Sequence, residues 1–247
     1  MCLLTVFYRT IPGRPIVLAA NRDEFLDRQG EPPRLWKTGG VPFLAPRDPR
    51  AGGTWIGCNA NGMAAAVTNR ELPRQPADAP SRGLLTAGVL ACTSPADAAD
   101  FLHSETGRAA YSGFNLLCAD AGGAFIAHYD GDLRVTALPP GVHIIGNTDL
   151  NDAACWKVAR ARALIEAMDT AGFDALVLGL KALCADHAPP TAGWPGDPEP
   201  ICVHDTARGT LSSSIISISS SREVGYLHAQ GRPCEAEYLR YPAELRA

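Results

Sequence analysis

Two short apolar stretches open the chain, Leu3–Tyr8 and Pro15–Ala20, split by Ile11-Pro12-Gly13-Arg14. Proline and glycine punctuate the chain there, so the pair reads as a β-hairpin. A second pair, Gly53–Gly57 and Gly62–Thr68, surrounds the Asn61-Gly62 turn signal. The proline-rich residues 71–82 read as an exposed loop. Helices are predicted over Leu84–Cys92 and Ala96–His103, the latter with Ser94 as N-cap and Pro95 at its first position. Strands return at Phe114–Ala119, Ala124–Tyr129, Leu133–Leu138, where Asp130-Gly131 makes a turn, and Val142–Ile145. Helical spacing covers Ala153–Met168, with Val158, Leu164, Ile165 and Met168 on one face, and Phe173–Ala185. After a proline-rich loop at residues 188–200, strands are expected at Ser212–Ser219 and Val224–His228. The order is β-rich, α pair, β-rich, α pair, β pair. That arrangement predicts an α+β fold of antiparallel sheets covered by helices, in one domain spanning residues 1–247.

Composition adds exclusions. At 46% hydrophobic and 19% charged, the chain can bury a sizeable core. A net charge of −4 with scattered charges gives no footprint for nucleic acid. Eight cysteines show no C-x-x-C or zinc-finger spacing. The first residues lack a basic, long-apolar signal pattern, and no apolar run reaches the ~18 residues of a membrane span. Free thiols in a cytoplasmic protein without an integral membrane segment are therefore expected. Oligomeric state is left open.

The chemistry starts at Cys2. Removal of Met1 would place a thiol and an α-amine on one residue. Such an amine titrates near ~7.7–8.0, close to the value wanted in a general base, and can activate the adjacent thiol. Asn21-Arg22-Asp23-Glu24 then ends the second apolar strand. The hairpin returns this end beside the N-terminus, where Asp23 could hold a protonated amine and Arg22 a thiolate or substrate carboxylate. Cys202-Val-His204 and Cys184-Ala-Asp-His187 have metal-ligand character, but neither has a matching second pair in sequence, so no metal site is expected. Ser212–Ser214 reads as an exposed strand face, because no His-Asp partner sequence accompanies it.

A series of short segments carries a resemblance: Met1-Cys2, Asn21-Arg22-Asp23-Glu24, Arg47-Asp48, Gly52-Gly53-Thr54-Trp55, Asn59-x-Asn61-Gly62 and Thr68-Asn69. It continues through Ser81-Arg82-Gly83, Gly113-Phe114-Asn115-Leu116-Leu117, Gly146-Asn147, Trp156-Lys157-Val158 and Gly209-Thr210. In number and order these resemble the NRDE family, which includes the transport and Golgi organization protein 2 group, over nearly the whole chain. That family in turn is similar to cysteine N-terminal-nucleophile hydrolases such as choloylglycine hydrolases and penicillin V acylases. The likeness implies a four-layer αββα sandwich with Cys2 as nucleophile, and Asn69 and Asn147 supporting the oxyanion.

Two positions depart from the pattern. Ala20 stands where those hydrolases carry an arginine, with Arg22 as the substitute. Leu211 stands where the family usually has one, with Arg208 nearby to take its place. Trp55 and Arg208 are the expected substrate-binding residues. The implied activity is hydrolysis or acyl transfer on a linear amide or related small acyl compound, needing no cofactor. The alternative is a non-catalytic haem or lipid binding and trafficking protein on the same scaffold, with haem as its ligand. Lipidation of the N-terminal cysteine ranks last, because no amphipathic or polybasic flank supports an anchor.

Overall fold

A computed structural model describes residues 2–37, 39–72, 76–191, 193–194 and 198–242. Part of each proline-rich loop read above lies outside these residues. The first sheet is built from β1 (Leu3–Ile11), β2 (Arg14–Phe25), β10 (Gly141–Ile145), β11 (Arg208–Ile218), β12 (Val224–Gln230) and β13 (Tyr238–Tyr241), in the order β10-β1-β2-β11-β12-β13. The second contains β3 (Glu31–Trp36), β4 (Phe43–Arg47), β5 (Ile56–Asn59), β6 (Ala64–Asn69), β7 (Phe114–Ala119), β8 (Ala124–Tyr129) and β9 (Leu133–Ala137), in sequence order. Every ladder is antiparallel. Among the described residues, four helices complete the fold: α1 (Arg82–Leu90), α2 (Pro95–Arg108), α3 (Trp156–Glu166) and α4 (Phe173–Cys184).

Period-two alternation builds the layers. In β1, Leu4, Val6 and Tyr8 join Ile16, Leu18, Leu44, Ile56, Leu117 and Ile126 in a core between the sheets. Their neighbours Leu3 and Phe7 point the other way, onto Val158, Leu176 and Leu180 of α3 and α4. On the outer face of the second sheet, Phe43, Phe114 and Leu116 pack with Leu85, Val89 and Leu102 of α1 and α2. Each fully buried Leu or Ile contributes about 1.5–3 kcal/mol. Three apolar layers between four structural layers make the αββα sandwich that the resemblance implies.

Two expectations need correction. The β2 strand does not end at Ala20. It runs through Asn21-Arg22-Asp23-Glu24 to Phe25, paired with β11 from Phe25↔Arg208 to Ile16↔Ile218. The serines of β11 are not exposed: Ser212, Ser213 and Ser214 are at most 3% accessible. β11 is a central strand between β2 and β12; Ser213 and Ser214 find partners inside, whereas the buried Ser212 Oγ has none among the described residues. Ser213 Oγ donates to the Ala20 carbonyl, and Ser214 Oγ meets His228 Nδ1 at 2.8 Å. All eight cysteines are unpaired thiols. No helix among the described residues is long and apolar enough to cross a membrane.

Candidate active site

The expected hairpin brings the two ends of the motif together: Leu3 pairs with Asn21 and Leu4 with Ala20. Cys2, one residue before β1, therefore lies beside the polar end of β2. It lines a cleft of about 330 Å³ together with Arg22, Asp23, Glu24, Arg28, Trp55, Asn69 and Arg82. The thiol donates to the Asp23 carbonyl at 3.7 Å. Burial, followed by the Asp23 charge, pushes the thiol above its usual range, partly offset by Lys157. The resting group is thus a neutral thiol that needs a base to react.

The Asp23 carboxylate is held from two sides. Lys157 of α3 donates to Oδ2 at 2.7 Å, both side chains being 1% exposed. The Thr210 hydroxyl of β11 donates to Oδ1 at 2.6 Å. Asn21 points to the same helical side, giving Nδ2–H bonds to the Cys184 and Ile201 carbonyls at 2.8 and 3.2 Å. Arg22 points to the other side, where its guanidinium lies 4.5 Å from the Trp55 ring centroid and donates to the Arg28 carbonyl. Arg28 bridges Glu24 at 3.1 Å and Asp48 at 2.7 Å. The Arg47-Asp48 segment thus acts here through its carboxylate.

Opposite Cys2, the cleft wall is the start of α1. Ser81 caps the helix by accepting from Leu84 N–H, and Arg82 is its first residue. The helix start sits directly on Gly53. A Cβ there would lie 2.1 Å from the Gly83 carbonyl carbon, so only glycine permits the approach. Arg82 donates to the Gly113 carbonyl at 2.8 Å. Burial lowers the pKa of both Arg22 and Arg82, and a negative charge on Cys2 would raise both. Neither forms an ion pair with a carboxylate among the described residues.

The two asparagines take different positions. Asn69, at the end of β6, lines the cleft. Asn147 lines a neighbouring cavity with Arg70 and Asp149, and its Nδ2–H donates to the Asn69 carbonyl at 2.6 Å. A buried network fixes that loop. Asn115 Nδ2 donates to the Gly146 and Thr148 carbonyls on either side of Asn147, Thr68 Oγ1 donates to Gly146, and His128 holds Asn115 Oδ1 at 2.7 Å.

Of the sequence candidates, Cys2, Arg22, Asp23, Trp55 and Asn69 share one cleft, and Asn147 touches it through Asn69. Arg208 does not. It pairs with Phe25 across the sheet, its guanidinium 5.6 Å from that ring, and is absent from the cleft walls. The second guanidinium beside Cys2 comes from Arg82 instead. Arg82 and Lys157 were both missed as site residues, although Ser81-Arg82-Gly83 and Trp156-Lys157-Val158 were among the segments that carried the resemblance. Residues of the two Cys/His segments, separate in sequence, meet in space. His187, Cys202, His204 and Cys234 converge, with their ligand atoms all within 4.8 Å of one another. Cys184 stays in the core against α3.

Two antiparallel sheets between helical layers make the sandwich of the N-terminal-nucleophile hydrolase fold. Solved structures of that class superpose over nearly the whole chain. Penicillin V acylase from Agrobacterium tumefaciens gives a TM-score of 0.58 at 14% identity, over 93% of this chain and 83% of its own. A mutant conjugated bile acid hydrolase from Clostridium perfringens gives 0.57 at 11% identity, over 99% and 98%. A Caenorhabditis elegans ortholog of N-acylethanolamine-hydrolyzing acid amidase gives 0.57 at 11%, over 98% and 100%.

Within that class, residues 1–230 match the family model described as Transport and Golgi organisation 2, and the chain belongs to that family. It is 33% identical to the Mus musculus Transport and Golgi organization 2 homolog over 172 residues, 64% of this chain and 60% of that protein. The Bos taurus homolog is 33% identical over 162 residues, 60% of this chain and 57% of its own length. The matches thus span less than two thirds of these relatives.

Proposed function

We propose that the chain is a cysteine N-terminal-nucleophile hydrolase or acyltransferase acting on a linear amide or related small acyl compound. The observation that carries this reading is the Cys2 thiol in a cleft walled by Arg22, Arg82, Trp55 and Asn69. Removal of Met1 frees the α-amine of Cys2, which takes the thiol proton as sulfur attacks the substrate carbonyl. The Asn69 side-chain amide donates to the developing oxyanion, a contribution of roughly 2.7–4 kcal/mol. Asn147 is a positioning residue that fixes Asn69 through its carbonyl. The C–N bond then breaks, the leaving amine takes the proton back, and a thioester on Cys2 remains. Attack by water, or by an acceptor amine in acyl transfer, releases the acyl group and restores the thiol.

Arg22 and Arg82 suit a substrate with an anionic group near its scissile bond. The test combines intact-mass measurement with a thiol-reactive acyl probe and peptide mapping. The active protein should begin at Cys2, and label on that residue should vanish in Cys2→Ser and Cys2→Ala. Active protein that retains Met1 eliminates the α-amine base; equal labelling of all three proteins eliminates the nucleophile.

A further inference from the structure

A second cluster lies outside the cleft. His187 follows α4, Cys202 and His204 precede β11, and Cys234 sits in the loop between β12 and β13. Sequence separation hides the arrangement, but the fold brings two thiols and two imidazoles to one point. Cys202 Sγ and Cys234 Sγ are 3.7 Å apart, and His187 Nε2 and His204 Nε2 are 3.0 Å apart. His204 Nε2 lies 3.2 Å from Cys234 Sγ and 3.7 Å from Cys202 Sγ.

These distances can be set against a tetrahedral ion. With Zn–S near ~2.3 Å and Zn–N near ~2.0–2.1 Å, the edges of the tetrahedron are about 3.8 Å for S–S, about 3.3 Å for N–N and about 3.6 Å for S–N. The four edges above each fall within a few tenths of an ångström of those lengths. The remaining edges, to His187, stay inside 4.8 Å, and His187 is exposed enough for its ring to move inward by the roughly 1 Å required. The support around the ligands fits as well. Cys202 is fully buried, with its N–H bonded to the Asp186 carbonyl next to His187. On the far side of the His204 ring, Glu235 lies 3.9 Å from Nδ1, the position of an outer carboxylate that orients a metal-bound imidazole. The exposed histidines leave an entry path from solvent.

We propose that His187, Cys202, His204 and Cys234 form a tetrahedral Cys₂His₂ site for a divalent zinc ion. A mixed thiolate–imidazole set with four-fold coordination selects zinc over the hard cations magnesium and calcium. Four protein ligands leave no open position, so the ion is structural. It ties together the two ends of the loop at residues 188–201 and the β12–β13 connection. The site does not depend on the acyl reading, and its test does not use activity.

Tag-free, full-length protein is reduced, stripped with a chelator and titrated with Co²⁺. One equivalent should bind with the visible bands of tetrahedral cobalt and a thiolate charge-transfer band in the near ultraviolet, and one equivalent of Zn²⁺ should bleach both. Cys2→Ala should keep the spectrum, which separates this site from the cleft. Cys234→Ser and His204→Ala, at positions that are not fully buried, should abolish it while far-ultraviolet circular dichroism is retained. Glu235→Gln should weaken zinc by about 10-fold. The proposal fails if the reduced wild type shows no tetrahedral spectrum, if the ligand variants bind as the wild type does, or if Cys202 and Cys234 are found as a disulfide in protein that takes up no cobalt after reduction.

Discussion

Replacing Lys157 by methionine removes the charge from a buried pair while keeping most of the side-chain volume. In the wild type Nζ lies 2.7 Å from Asp23 and 3.8 Å from Glu199, with almost no solvent around the Lys157–Asp23 contact. Stranding a buried carboxylate costs about 3–5 kcal/mol. Thr210 still donates to Asp23 in the variant, so the lower end, about 3 kcal/mol, is expected. In a chain of this size each kcal/mol lowers Tm by about 2–4 °C, which gives a drop of about 6–12 °C. Urea denaturation of Lys157→Met, Asp23→Asn and the double variant closes a double-mutant cycle, with an expected coupling of about 2–3 kcal/mol. A loss below about 1 kcal/mol, the value of an exposed pair, refutes the argument that burial makes this contact strong. The same variant has a second readout. Lys157 is one of the charges that lower the Cys2 thiol, so its removal should move the pH midpoint of Cys2 alkylation upward.

Gly53→Ala should destabilise the chain by about 1–3 kcal/mol in thermal melts and slow Cys2 labelling, because the new methyl displaces the start of α1; unchanged melting and labelling count against that contact. Asn69→Ala should lower the acylation rate of Cys2 by about 10²–10³-fold with little change in Tm, and an unaltered single-turnover rate rules out the oxyanion role. Burial holds His228 down to about 4, against about 6.5 in an unfolded chain. The unfolded state therefore binds more protons between those values. Stability from the neutral ring is full above pH ~6.5 and falls by about 3 kcal/mol as pH drops toward 4. His228→Gln should flatten that part of the pH–stability curve, and identical slopes in both proteins remove His228 as the cause.

Most of the layer order could be read from the sequence because alternation and turn residues are local signals. Phe114–Ala119 and Ala124–Tyr129 are strands with the residues expected. The missed strands have a positional explanation. Glu31-Pro32-Pro33 argues against a strand, yet β3 is the edge of its sheet, where proline need not donate to a ladder. In β4, Pro46 lies beyond the two residues that pair with β5. The site was legible in part. Cys2, Arg22, Asp23, Trp55 and Asn69 stand out by residue type beside a strand end, turn or chain start. Lys157 does not, because a lysine within a helix reads as a solvated residue and is almost never fully buried. Arg208 was placed by closeness in sequence to a missing arginine, whereas closeness in space belongs to Arg82. The Cys/His cluster draws its ligands from both ends of the α4–β11 connection and from the β12–β13 loop, and no spacing rule reaches across them.

The extension of β2 through Asn21-Arg22-Asp23-Glu24 explains how one short motif can serve two layers. Successive side chains of a strand point to opposite faces. Asn21 and Asp23 therefore turn toward the helical layer, where Asn21 holds the Cys184 and Ile201 carbonyls and Asp23 meets Lys157. Arg22 and Glu24 turn toward the second sheet, where Arg22 lies against Trp55 and Glu24 pairs with Arg28. A shift of one residue in the β1–β2 register would exchange the two sets, burying Arg22 under α3 and turning Asp23 away from Lys157. Register is thus set by charge as well as by the apolar core. The helical side of the motif also reaches the Cys/His cluster. The Thr210 hydroxyl that donates to Asp23 accepts the N–H of Val203, the residue between Cys202 and His204. One hydroxyl therefore fixes the carboxylate beside the cleft and the segment that presents two of the four metal-binding side chains.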